Sequence, residues 1–147
     1  MTAKLASVLF ACTSNVIRSP MAEGIAKRLF GTRLFVDSVG VARGIVDPLV
    51  AEAMDEIGVS MARHRPKTFD DLEDTSFDLI VTLSAPAQHR AMEMTRVWAC
   101  EVEFWNTFDP SAVEGSRDMR LDAYRAVRDI LMRRIRERFG ASAAPVV

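Results

Sequence analysis

Apolar positions along this chain follow two periods in turn. Residues 9–11 form an apolar run too short for a helix, which marks a buried strand, and a polar loop follows it. Ala22, Ile25, Ala26 and Leu29 then recur at helical spacing, with Glu23, Lys27 and Arg28 on the other faces, predicting an amphipathic helix that ends near Gly31. Residues 34–38 predict a second strand, with Gly40 and Gly44 punctuating the loop beyond it. Asp47 and Pro48 suit an N-cap and a first helical residue, and Val50, Ala53, Met54 and Ile57 carry the helical period to Gly58. After an irregular stretch over 59–76, residues 77–83 are almost continuously apolar, as expected of a central strand covered on both faces. A short helix is expected over 86–94 and an edge-like strand over 100–104. A long last helix is expected over 117–139, with Leu121, Tyr124, Val127, Leu131 and Ile135 inward. Arginines crowd its other face, and those near its end suit the helix macrodipole. Strands alternating with helices predict parallel crossover units, hence an α/β chain.

Composition narrows this picture. A chain of 147 residues, 49% hydrophobic, is long enough for one domain with a real core. Residues 1–140 are expected to form that domain and 141–147 a loose tail. The net charge of −1 gives no electrostatic reason to expect a nucleic-acid partner. No apolar run approaches the roughly 20 residues of a membrane span, and the first residues lack the layout of a secretory signal, so a cytoplasmic location without a membrane partner is expected. The cysteines, Cys12 and Cys100, are too few for a disulfide framework, and Cys100 is expected to serve as a small buried apolar residue. Two scattered histidines, His64 and His89, and no Cys-x-x-Cys argue against a metal site, and no cofactor is expected. His89 is expected on a helix surface. Arg63, His64, Arg65 and Lys67 precede acidic Asp70, Asp71, Glu73 and Asp74, a pattern that belongs on a solvated loop unless the basic residues meet an anionic substrate.

The candidate chemistry sits between the first strand and the first helix. Thr13, Ser14, Asn15, Val16 and Ile17 separate Cys12 from Arg18, which is enough chain to curl once and aim several N–H groups at one centre. Such a nest before a helix N-terminus favours an oxyanion and equally favours a thiolate at Cys12, the nucleophilic form of the side chain. Arg18 supplies a planar fork for two oxygens of a phosphoryl group, Ser19 a hydrogen bond to the thiolate, and Pro20 fits the first helical turn. Cleavage of a phosphate ester also needs a proton for the leaving oxygen and later a base for water, which one carboxyl group supplies in turn. Two Asp-Pro pairs compete for this role: Asp47-Pro48, which a helix start already explains, and Asp109-Pro110, which follows Trp105, Asn106, Thr107 and Phe108 just beyond the fourth strand.

The stretch VLFACTSNVIRSPMAEG, residues 8–24, resembles the signature of the low-molecular-weight protein tyrosine phosphatases and their relatives, the thioredoxin-coupled arsenate reductases. The resemblance implies a single-domain, doubly wound, four-stranded parallel sheet of order 2-1-3-4 with helices on both faces. It places Cys12 in the crevice at the topological switch. It implies Cys12 as nucleophile, Arg18 as the residue binding the transferring group, Asn15 as a brace of the loop, Ser19 as stabiliser of the thiolate and Asp109 as general acid. The substrate-binding set is Thr13, Ser14, Asn15, Val16, Ile17, Arg18 and Ser19.

Three departures qualify the resemblance. Ile17 stands where many such phosphatases carry a second cysteine, so redox protection by that neighbour is absent. Ser111, Ala112 and Val113 replace the aromatics that usually follow Asp-Pro in the phosphatases, and the stretch from Trp105 through DPSAVEG looks more like the reductases. Yet Ser84 occupies the position of the reductases' first relay cysteine, so an intramolecular relay looks broken. The expectation is a metal-free phosphomonoester hydrolase acting on a phosphotyrosine protein or small aryl phosphate through a cysteinyl-phosphate. The alternatives are an arsenate reductase using an external thiol and an oxyanion-binding module with little turnover.

Overall fold

The computed structural model describes residues 5–74 and 76–143. Four parallel strands, β1 (Ser7–Cys12), β2 (Phe35–Gly40), β3 (Leu79–Thr82) and β4 (Glu101–Phe104), form one sheet in the order β2-β1-β3-β4. Helices α1 (Arg18–Phe30), α2 (Pro48–Asp55), α3 (Ala85–Met94) and α4 (Arg117–Ala143) alternate with them, and short 3-10 turns cover Phe69–Asp71 and Pro110–Ala112. The doubly wound order expected from the resemblance is the observed one.

Side-chain alternation along β1 explains why the sheet is covered twice. Val8, Phe10 and Cys12 join a core with Ile25 of α1, Leu49 and Met54 of α2, and Leu131 and Phe139 of α4. Leu9 and Ala11 face the other way, onto Phe69, Phe77 and Ala87 and Ala91 of α3. A strand buried on both faces is apolar over most of its length, as β1 and β3 are apart from Ser7 and Thr82 at their ends. Each fully buried Leu, Ile or Phe contributes on the order of 1.5–3 kcal/mol, so this two-sided core holds the strand ends in register.

Several boundaries differ from the sequence expectation, each for a tertiary reason. The second strand begins after Leu34 and runs on to Gly40, because Gly40 is paired with Cys12 and bridged on its other side to Thr68. The third strand is shorter than 77–83, since Asp78 turns its carboxylate onto the backbone N–H groups of Ala6 and Ser7. The last helix continues to Ala143, which leaves no basic residue in its final turn, and its arginines instead reach acids on other elements: Arg125 and Arg128 to Glu56, Arg138 to Glu103. Of the expected tail, residues 144–147 lie outside the described residues. Asp47 caps α2 and Ser84 caps α3 through side-chain oxygens that accept from Leu49 and Ala87 N–H, each followed by proline in the first turn. His89 is exposed, as expected, and Cys100 is half-buried against the α3 side of the sheet, where burial pushes its thiol pKa up.

Candidate functional site

The crevice opens where β1 and β3 part company at their carboxyl ends, the position that strand order 2-1-3-4 dictates. Cys12 is the last residue of β1 and is buried. Residues 13–17 curl between it and α1, with Asn15 in the left-handed region at φ 56°. The backbone N–H groups of residues 14–17 donate to nothing within the described chain, and α1 starts immediately afterwards without a side-chain cap. A run of free amides at a helix N-terminus is a ready anion cradle.

Buried polar groups hold this loop from beneath. Asn15 is fully buried, and its Nδ2 donates to Ser19 Oγ and to Ser38 Oγ, each at 2.9 Å, while its Oδ1 accepts from the Lys67 backbone N–H at 3.0 Å. Ser38 passes its own hydrogen to Glu23 Oε1 at 2.5 Å. Ser19 Oγ lies 2.9 Å from Cys12 Sγ and 3.2 Å from the Val39 carbonyl. Its single hydrogen serves one of them at a time: a thiol donates to Ser19 and leaves the serine hydrogen to Val39, whereas a thiolate takes that hydrogen itself. Asn15, Ser38 and Glu23 therefore fix the hydroxyl that faces the sulfur.

Arg18 is nearly buried and spans the crevice. Its Nη1 donates to the Thr107 carbonyl at 3.0 Å, its Nη2 to Thr13 Oγ1 at 3.4 Å, and Nη2 stands 3.9 Å from Asp109 Oδ2. The segment carrying Asp109 reaches this position because Trp105 and Thr107 donate backbone hydrogen bonds to Thr82 and Leu83, continuing alongside the end of β3. Asp109 Oδ1 is engaged by Ser111, from its N–H at 3.0 Å and its hydroxyl at 2.7 Å, while Oδ2 points toward Arg18, with 44% of the side chain exposed. Asp47 is differently occupied. Its Oδ1 accepts from Leu49 N–H and its Oδ2 from the Tyr124 hydroxyl at 2.5 Å, so both oxygens have a structural partner. Burial, followed by the bond and charge of Asp47 and a smaller effect of Asp109, raises the Tyr124 hydroxyl far above its usual pKa, so it remains a donor.

The fold thus brings Cys12, residues 13–17, Arg18, Ser19 and Asp109 to one crevice and engages Asp47 as the cap of α2. The segment around residue 64 departs from both sequence alternatives. His64 Nε2 lies 2.8 Å from the Asn15 carbonyl, the Lys67 N–H reaches Asn15, and Lys67 Nζ pairs with Asp37 at 2.7 Å, so these residues brace the loop from outside, while Arg63 and Arg65 are exposed. Glu23, expected on an outer helix face, is turned inward to Ser38. Ser38 and Thr107 carry no sequence signal of their own, and His64 and Lys67 stand out in the chain only as members of a basic cluster, because each meets the loop through strand order. Among the described residues no group of three His, Cys, Asp or Glu side chains is placed to hold a metal ion, and no helix is long and apolar enough to cross a membrane.

Comparison with known proteins agrees with this geometry. Residues 7–143 match the family described as low molecular weight phosphotyrosine protein phosphatase. An arsenate reductase of Halalkalibacterium halodurans is 32% identical over 131 residues, covering 88% of this chain and 91% of the relative. Among solved structures, a tyrosine phosphatase of Erwinia amylovora superposes with a TM-score of 0.75 at 20% identity, covering 95% of this chain and 94% of the other. An arsenate reductase in its phosphate-binding state superposes at 0.71 and 24% identity, covering 92% and 97%. These structural likenesses establish the shared fold.

Proposed function

Because this chain belongs to the low molecular weight phosphotyrosine protein phosphatase family, we propose that it is a cysteine-dependent phosphomonoester hydrolase with Cys12, Arg18 and Asp109 as catalytic residues. Phosphotyrosine in a protein, or a small aryl phosphate, is the substrate class. The observation that carries this is the position of Arg18, which ties the anion-cradling loop to the turn bearing Asp109.

The phosphoryl oxygens lie against the free amides of the 12–18 loop and the Arg18 fork, whose fixed charges are worth more in a partly desolvated crevice than in water. Cys12 Sγ attacks phosphorus in line with the ester oxygen. As the S–P bond forms and the P–O bond breaks, Asp109 gives its proton to the leaving oxygen. The resulting Asp109 carboxylate then takes a proton from water, whose oxygen attacks phosphorus, releasing inorganic phosphate and the Cys12 thiolate. Ser19 donates its hydrogen to the sulfur whenever it leaves. Turnover of a generic aryl phosphate under reducing conditions without added metal tests the scheme: it should disappear in Cys12→Ser, and folded, reduced native protein without turnover would refute it.

The name of the 32% identical relative favours a second activity, arsenate reduction. Here Cys12 displaces hydroxide from arsenate to form an S–As(V) adduct. An external thiolate attacks Cys12 sulfur, the S–As electron pair leaves with arsenic as arsenite, and a second external thiol reduces the mixed disulfide. An internal partner is out of reach. The pairings of Val8 with Leu79 and Leu79 with Glu101 put Cys100 level with Ser7, at the opposite end of the sheet from Cys12. At ~3.3 Å per residue and ~4.8 Å per strand the two lie roughly 19 Å apart, against a Cα separation below about 7 Å for a disulfide. Thiol-dependent arsenite release, compared with aryl phosphate turnover in the same preparation, decides between the two activities.

A further inference from the structure

The loop between β2 and α2 lies directly on the anion-cradling loop. Val41, Ala42 and Gly44 donate their N–H groups to the carbonyls of Cys12, Thr13 and Ser14 at 3.1, 2.9 and 2.9 Å. A Cβ at Gly44 would come within 2.6 Å of Val16 Cγ2, so only glycine permits this approach. Beyond Gly44 the chain presents Ile45 and Val46 to solvent, 92% and 62% exposed, and its next anchor is Asp47. Phe108, 59% exposed, precedes Asp109 on the other segment of the crevice. Asp47 is bound by Tyr124 of α4, and α4 also packs against the Pro110–Ala112 turn that follows Asp109. A single buried hydroxyl therefore ties the far end of the Ile45–Val46 segment to the helix that supports the Asp109 turn.

We propose that Tyr124, acting through Asp47, is a positioning residue that sets the gap between the Ile45–Val46 segment and the Asp109 turn, and thereby the affinity for the organic group attached to the phosphoryl. This deepens the hydrolase proposal and rests on it for the identity of the substrate. The phosphoryl itself needs only the loop amides and Arg18, so the two parts of a substrate are held by separable structures. The partners offered to the organic part are apolar, which fits an aryl group better than a charged one.

Tyr124→Phe keeps the buried ring and removes the one donor. Calorimetry with phenylphosphonate and inorganic phosphate as probes reads the effect without requiring turnover. Phenylphosphonate affinity is expected to fall about tenfold while phosphate affinity stays within about twofold, because phosphate touches only the unaltered loop. Asp47→Ser, whose shorter side chain still offers a capping oxygen to the helix start but does not reach Tyr124, should weaken phenylphosphonate similarly, and the double variant should be no weaker than the weaker single one, since both remove the same contact. In steady state, KM for an aryl phosphate should rise with kcat unchanged. Unchanged phenylphosphonate affinity in folded Tyr124→Phe, or phosphate affinity falling in parallel with it, would overturn the proposal. Native protein that binds both probes without turning over aryl phosphate would defeat the hydrolase scheme alone, and the affinity ratio would still judge the role of Tyr124.

Discussion

Asn15→Ala tests how the candidate loop is held. The side chain is fully buried and makes three hydrogen bonds, to Ser19, to Ser38 and from the Lys67 N–H. Truncation leaves the two hydroxyls with other partners, a loss of about 0.5–1.5 kcal/mol each. The Lys67 N–H loses its acceptor in a partly buried place, which costs about 1–3 kcal/mol. Alanine must also adopt φ 56°, roughly 1–2 kcal/mol less favourable than a right-handed conformation for a residue with a Cβ and no side-chain bond to offset it. Together these predict a loss of about 3–8 kcal/mol, a large share of the ~5–15 kcal/mol typical of a domain. At about 3 °C per kcal/mol for a chain of this length the melting temperature should drop by more than ~10 °C. Asn15→Gly separates the causes, since it loses the same hydrogen bonds without the φ penalty and should be the more stable variant by about 1 kcal/mol. Urea unfolding of the three proteins gives the free energies directly. A loss below about 1 kcal/mol for alanine, or glycine no better than alanine, would refute this account of the loop.

Two further perturbations address other parts of the molecule. Asp109→Asn should slow alkyl phosphates far more than activated aryl phosphates, by about 10²–10⁴-fold for the poor leaving groups; equal slowing across a leaving-group series would remove Asp109 from protonation of the leaving oxygen. Glu56 is held at a pKa of about 2, below its ordinary 4.5, first by the hydrogen bond from Arg125 and then by that from Arg128. Its folded pKa is depressed, so its contribution to stability is complete above about 4.5 and is lost as pH falls toward 2. The stability difference between native protein and Glu56→Gln should accordingly shrink across that window; a difference constant from pH 6 to 2 would exclude this origin.

The residues 8–24 show how far sequence goes for this protein. Apolar alternation in β1, the helical period of α1 and the proline-bearing starts of α2 and α3 are local, set by backbone geometry over a few residues, so the α/β pattern was legible before any contact was known. The same holds for the placement of Cys12, Arg18 and Ser19 at a strand-loop-helix junction, which follows from the apolar run before them, the polar loop, and the Ser-Pro pair and helical period after it. Strand ends were less legible, because Gly40 remains in β2 only through its pairing with Cys12 and its bridge to Thr68. Where the two Asp-Pro aspartates lie was decided by tertiary structure: Tyr124 occupies one oxygen of Asp47, and the segment beyond β4 carries Asp109 to Arg18. Likewise Glu23, Ser38, His64 and Lys67 look like ordinary surface or strand residues in the chain, yet in the fold they surround Asn15 and Ser19. Propensity and hydrophobic period act over neighbours in sequence, whereas the partner of a buried polar group is fixed by which strands adjoin, and only the assembled sheet determines that.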